Sequence, residues 1–170
     1  MRTAGRISLR DPRARLREEA SLAAHAGAVF ALDARGDLLV SAGLAPRRGG
    51  GGGMAAEAAV KVWDVRAAPR PLQQLPFPGG PACLRFLPRF SSTLLVASQQ
   101  GFFSLLDAVG AGAAAATHAV HTGGAALLCA AVGDAGEAVA LGDAGGYVHL
   151  FVRALFTTAI RAASADLRYS

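Results

Sequence analysis

Lysine is all but missing from this sequence: Lys61 is the only one, so the other cations among its 17 Lys and Arg residues are arginines. Tryptophan occurs once, tyrosine and cysteine twice each, and only 17% of the 170 residues are charged. No apolar run is long and uninterrupted enough to cross a bilayer, which takes about 20 residues. The N-terminus lacks the apolar stretch of a signal peptide, and Asp11, Glu18 and Glu19 argue against an acid-poor transit peptide. Cys83 and Cys129 are widely spaced and make no Cys-x-x-Cys pair, so they form neither a zinc site nor a convincing disulfide framework. Each lies in an apolar run and reads as a buried free thiol in a reducing compartment. Together these absences predict a soluble intracellular protein with no membrane partner.

What is present is apolar: 52% of the residues are hydrophobic. The length suits one domain. Much of the apolar fraction is Ala, which buries little surface, so the core must rest on Val, Leu and Phe. The net charge is +5, and Arg2, Arg6, Arg10, Arg13, Arg15 and Arg17 crowd the first segment. A basic surface of that kind attracts phosphates. A GC-rich genome, spelling basic residues as Arg and small ones as Ala, Gly and Pro, produces the same pattern.

Repetition is the informative feature. Gly5-Arg-Ile-Ser-Leu-Arg-Asp11, Ala59-Val-Lys-Val-Trp-Asp64, Gly101-Phe-Phe-Ser-Leu-Leu-Asp107 and Gly146-Tyr-Val-His-Leu-Phe151 each alternate and end on a large residue, three of them followed by Asp. Such alternation marks a strand with one buried face. Asp64 and Asp107 are about 43 residues apart and Leu106 and Phe151 about 45, the period of WD40 repeats. The interval from Asp11 to Asp64 is about ten residues longer than that period. Residues 45–58, with five consecutive glycines, account for the excess and read as a flexible insertion loop.

Between these anchors lie the other strands that a blade needs: 28–33 and 37–43, then 82–87 and 93–98, then 125–132 and 138–141, with turns between them. The expectation is an all-β, WD40-type β-propeller, partial, with about three blades plus one strand of a fourth over residues 1–153. Residues 154–170 form a divergent tail in which Leu155, Ile160, Ala163 and Leu167 would line one side of a short helix. Three blades cannot close a ring of four to eight, which leaves open edges. In WD40 repeats a His ahead of the first strand, a Ser on the second, a Trp on the third and a turn Asp form a buried hydrogen-bonded cluster. His25, Ser41 and Trp63 supply three of the four, with the turn Asp displaced by the insertion. His121 and Asp143 hold the matching positions in the third blade, where Phe151 replaces Trp. All five polar residues read as structural, satisfying polar atoms between strands.

Beyond the generic repeat, Gly5 to Asp11, Asp33-Ala-Arg-Gly-Asp-Leu-Leu39, Lys61-Val-Trp-Asp-Val-Arg66, Pro81-Ala-Cys-Leu-Arg-Phe-Leu-Pro88 and Ala140 to Phe151 resemble, in register, the catalytic subunit of the poly(A)-nuclease (PAN) deadenylation complex. The Pro81 to Pro88 element is the most specific part. The resemblance implies a seven-bladed N-terminal propeller, of which this chain carries the last blades. It also implies a linker for the partner subunit, an inactive ubiquitin-hydrolase-like domain and a DEDD exonuclease that lie outside the likeness. A role in poly(A)-tail shortening follows from it. The implied partners are the regulatory subunit of the complex and poly(A) ribonucleoprotein, including poly(A)-binding protein. The implied location is the cytoplasm and its processing bodies.

Chemistry of its own is not expected. A DEDD exonuclease holds two metal ions on carboxylates that begin with an Asp-x-Glu pair, and the sequence contains no such pair. His118 and His121 sit three apart without a helix or nearby acids to make a metal site. No Gly-Lys-Ser/Thr follows the glycines, no nucleophile motif is present, and neither a cofactor nor a small-molecule substrate is indicated. The expected product is a scaffold that binds through its loops, where Arg35, Arg47 and Arg48 are candidates for RNA or partner contact. A WD40 adaptor in another complex, such as a ubiquitin-ligase receptor or a trafficking coat, is the competing reading.

Overall fold

The fold is that of a computed structural model and describes residues 5–47, 52–67, 70–110 and 116–152. They divide into two compact units, Met1–Gly80 and Pro81–Ser170.

The first unit opens with a hairpin of β1 (Gly5–Asp11) and β2 (Arg17–His25), antiparallel from Gly5↔His25 to Asp11↔Arg17. One strand was expected here and two are found. The first half of β2 is charged and exposed, so its alternation emerges only where Leu22 and Ala24 turn inward. A blade follows, made of β3 (Val29–Arg35), β4 (Leu38–Pro46), β6 (Ala59–Asp64) and β7 (Gln73–Pro76) as an antiparallel meander, with β5 (Met54–Ala56) paired to β4 off that path. Gly36 has the positive φ, 56°, that lets a two-residue turn join β3 to β4. Ile7, Leu22 and Ala24 of the hairpin pack on Leu39 and Trp63 of the blade.

The reading of residues 45–58 as one flexible loop is corrected at both ends. Leu44, Ala45 and Pro46 pair with Ala56, Ala55 and Met54. Besides β3, β4 thus serves two partners along its length, β6 through Leu38–Ser41 and β5 beyond. The paired residues are apolar and lie in the sequence on either side of the glycine run. Residues 48–51 lie outside the described residues.

The second unit holds a four-stranded blade of β8 (Pro81–Phe86), β9 (Thr93–Ser98), β10 (Phe102–Asp107) and β11 (Thr117–Ala119). A three-stranded one follows, of β12 (Leu127–Val132), β13 (Ala138–Asp143) and β14 (Val148–Val152). Leu95, Phe103, Leu127, Val139 and Leu141 form its dry core, with β12 set against β8 and β9. The short outer strands β7 and β11 are polar and carry no readable alternation. The candidate helix of the tail, residues 154–170, lies outside the described residues.

Candidate functional site

The first blade carries a sealed polar cluster. Ser41, fully buried on β4, accepts a hydrogen bond from Trp63 Nε1 at 2.9 Å, and its hydroxyl lies 2.8 Å from His25 Nε2. The Ser41 oxygen has two lone pairs and one proton, so its role toward Nε2 follows the imidazole tautomer, and the second ring nitrogen, Nδ1, lies on the other side of the ring. That nitrogen faces Glu57 Oε2 at 3.2 Å, a charge contact not aligned as a hydrogen bond. Glu57 in turn holds Lys61 at 3.0 Å, and Lys61 donates to the Ala24 carbonyl at 2.7 Å. The acid that the sequence seemed to lack is therefore Glu57. Its amide donates to the Gly43 carbonyl at 2.9 Å, which fixes it at the root of the β4–β5 ladder. Burial lowers the His25 pKa, with Glu57 opposing it.

In the third blade the structure does not bring His121 to Asp143. His121 is exposed ahead of β12. Asp143 is held instead by His149 at 2.8 Å and by the amides of Gly145 and Tyr147 at 2.9 and 3.0 Å. The His149 hydrogen bond first, then those amides, keep its carboxyl below the usual range against the opposing effect of burial. A turn Asp followed six residues later by a strand His was the signal for this pair. Phe151 packs on Phe103, whose ring also stacks on His118.

Arg35 is the last residue of β3 and half-buried, rather than on a loop; Arg47 is exposed, its amide donating to the Gly53 carbonyl; Arg48 lies outside the described residues. The expectation of two buried thiols holds in part. Cys83 is half-buried, and burial pushes its pKa up, whereas Cys129 is exposed. A register shift between Leu127 and Cys129 turns both Leu128 and Cys129 outward.

These clusters tie strands together: Ser41 does sit beside the His25 imidazole, but both are sealed from solvent, where the pair serves the strands rather than a substrate. Facing solvent are an arginine-rich hairpin, the loops, and apolar strand residues such as Leu128, Val148, Leu150 and Val152. No group of three or more His, Cys, Asp or Glu among the described residues is placed to hold a metal ion. Among them no helix is long and apolar enough to cross a membrane.

Comparison with known proteins agrees with this architecture. Residues 1–152 match the family described as PAN2 N-terminal. The catalytic subunit pan2 of the PAN2–PAN3 deadenylation complex of Schizosaccharomyces pombe is 37% identical over 105 residues, 62% of this chain and 9% of that protein. The Homo sapiens and Mus musculus subunits are each 33% identical over 149 residues, 88% of this chain and 12% of theirs. The chain thus spans about a tenth of the length of the relatives it matches. The Neurospora crassa Pan2 WD40 domain superposes with a TM-score of 0.72 at 22% identity, covering 89% of this chain and 45% of that domain. That likeness shows the fold: a partial WD40-type propeller.

Proposed function

This chain belongs to the PAN2 N-terminal family, and on that premise we propose that it is a non-catalytic propeller scaffold in mRNA poly(A)-tail shortening. It binds the regulatory subunit of the PAN deadenylation complex and poly(A) ribonucleoprotein, including poly(A)-binding protein, in the cytoplasm and its processing bodies. The observation that carries this reading is the match of residues 1–152 to the family. Supporting it, the polar residues of the first and third blades are engaged in holding strands, which leaves loops and the hairpin for binding.

Catalysis lies outside this role, because the sequence has no Asp-x-Glu pair on which an exonuclease would hold metal. Capture of the tagged chain from cells of its source, read by mass spectrometry, tests the reading. Recovery of the regulatory subunit or poly(A)-binding protein supports it, and recovery of neither overturns it. Incubation with oligoadenylate and magnesium is expected to leave the RNA at full length.

A further inference from the structure

The turn of the N-terminal hairpin has a composition that its structural role does not require. Residues 12–17 read Pro-Arg-Ala-Arg-Leu-Arg, and every one is exposed. Arg15 and Leu16 both adopt positive φ, 53° and 58°, where glycine would be relaxed and bulky side chains are strained. A strained backbone that exposes an arginine and a leucine is a device worth explaining by function.

Neighbouring groups hold the tip firm without neutralising it. The Asp11 carboxylate accepts the Arg13 amide at 2.7 Å, and the Leu16 amide donates to the Asp11 carbonyl at 3.0 Å. Arg10 donates to the Leu16 carbonyl at 3.1 Å and pairs with Glu18, which also accepts from Ser8 at 2.9 Å. Asp11 and Glu18 are thus engaged, and the hairpin's third acid, Glu19, is exposed and makes no ion pair with these arginines among the described residues. The guanidinium groups of Arg13, Arg15 and Arg17 have no acidic partner among the described residues.

We infer that the β1–β2 turn is a contact site for the phosphate backbone of single-stranded RNA, with Arg13, Arg15 and Arg17 supplying the cations. The planar guanidinium fork matches phosphate oxygens two at a time, and exposed Leu16 offers an apolar surface against the face of a base. A single leucine is too little apolar area to seat the turn in a bilayer. The inference rests on the proposed function for its choice of RNA, and narrows that function from ribonucleoprotein to the nucleic acid itself.

The test is fluorescence anisotropy of labelled oligoadenylate with the full chain, from about 50 to 200 mM salt. The variants are the triple substitution Arg13→Gln, Arg15→Gln, Arg17→Gln and the single Arg15→Gly, both checked for folding by circular dichroism. The triple variant should bind at least about tenfold more weakly, with a salt slope reduced by about 2 for three lost contacts at about 0.7 each. Arg15→Gly should melt higher while binding RNA more weakly, a divergence that a purely structural arginine would not give. Equal binding by wild type and the folded triple variant overturns the site. So does binding of anionic vesicles or polyglutamate, with no binding of oligoadenylate. Failure of the parent reading is seen separately, as absence of the complex's subunits from the cellular capture.

Discussion

Ser41 holds Trp63 by a single atom: the indole N–H donates to the serine Oγ at 2.9 Å, and both residues are sealed from solvent. The same oxygen sits 2.8 Å from His25 Nε2, so one hydroxyl satisfies two rings brought from β2 and β6. Ser41→Ala therefore orphans two polar atoms and is expected to cost about 1–3 kcal/mol. Urea unfolding followed by circular dichroism reads it, a probe that also serves variants without the single tryptophan. A Ser41→Ala, Trp63→Phe pair should cost less than the sum of its singles, because the indole donor is gone.

His25 gives the first blade a pH dependence of known sign. Its folded pKa lies below the ordinary value of 6.5, burial being the largest cause. The unfolded chain therefore binds more protons just below pH 6.5. Stability is full above that pH and declines as pH falls toward the folded pKa, by at most about 1.4 kcal/mol per pH unit. His25→Gln is expected to flatten this part of the curve in urea midpoints measured from neutral to mildly acidic pH.

Glu57 opposes that shift, since its carboxylate favours the charged imidazole. Glu57→Ala should lower the folded His25 pKa further, so acidification removes more stability than in the wild type. At neutral pH the same substitution leaves Lys61, itself mostly buried, with only the Ala24 carbonyl. A loss of about 1–2 kcal/mol is expected from that change.

Much of this was legible in the sequence. β6, β13 and β14 alternate between faces, β4, β9 and β10 read as short, mostly apolar runs bounded by turns, and three members of the first cluster stand at the spacing of a WD40 repeat. Glu57 was not legible, because it comes to His25 only through the β4–β5 ladder, whose three pairs show no alternation in the sequence. β2 was hidden by its charged first half, and β7 and β11 by their shortness and polarity. His121 was misassigned to Asp143 by position alone. The turn geometry that aims His149 at the carboxylate is set by hydrogen bonds from Gly145 and Tyr147, which spacing does not reveal.

Gly43 is fixed by its neighbour. A side chain there would run into the His25 imidazole. Gly43→Ala is expected to displace the ring and cost about 1–3 kcal/mol by overpacking. Thermal melting measures the loss, and NMR shifts of the Trp63 indole proton would move with it. An unchanged melting temperature would show that the ring has room to move.

Asp143 governs the acid limit of the third blade. Its depressed folded pKa means that its contribution is complete above the unfolded value of about 3.8 and is lost as pH falls through the folded one. Asp143→Asn should flatten that limb. It should also speed hydrogen exchange at the Gly145 and Tyr147 amides, whose acceptor it weakens, while amides of β9 stay protected.

The split pairing of β4 has a bearing on how this chain tolerates change. Its register with β6 is set by residues 38–41, and Glu57 and Gly43 close the junction before the glycines begin. The Arg47 amide then meets the Gly53 carbonyl at 2.9 Å, a clasp that closes the ladder. With the register held on the near side of that clasp, a change of sequence length between Arg47 and Gly53 is expected to transmit no slip to the Trp63 strand. Evolution has in that position a place to experiment, and the bench has an insertion point for an epitope or a fluorophore.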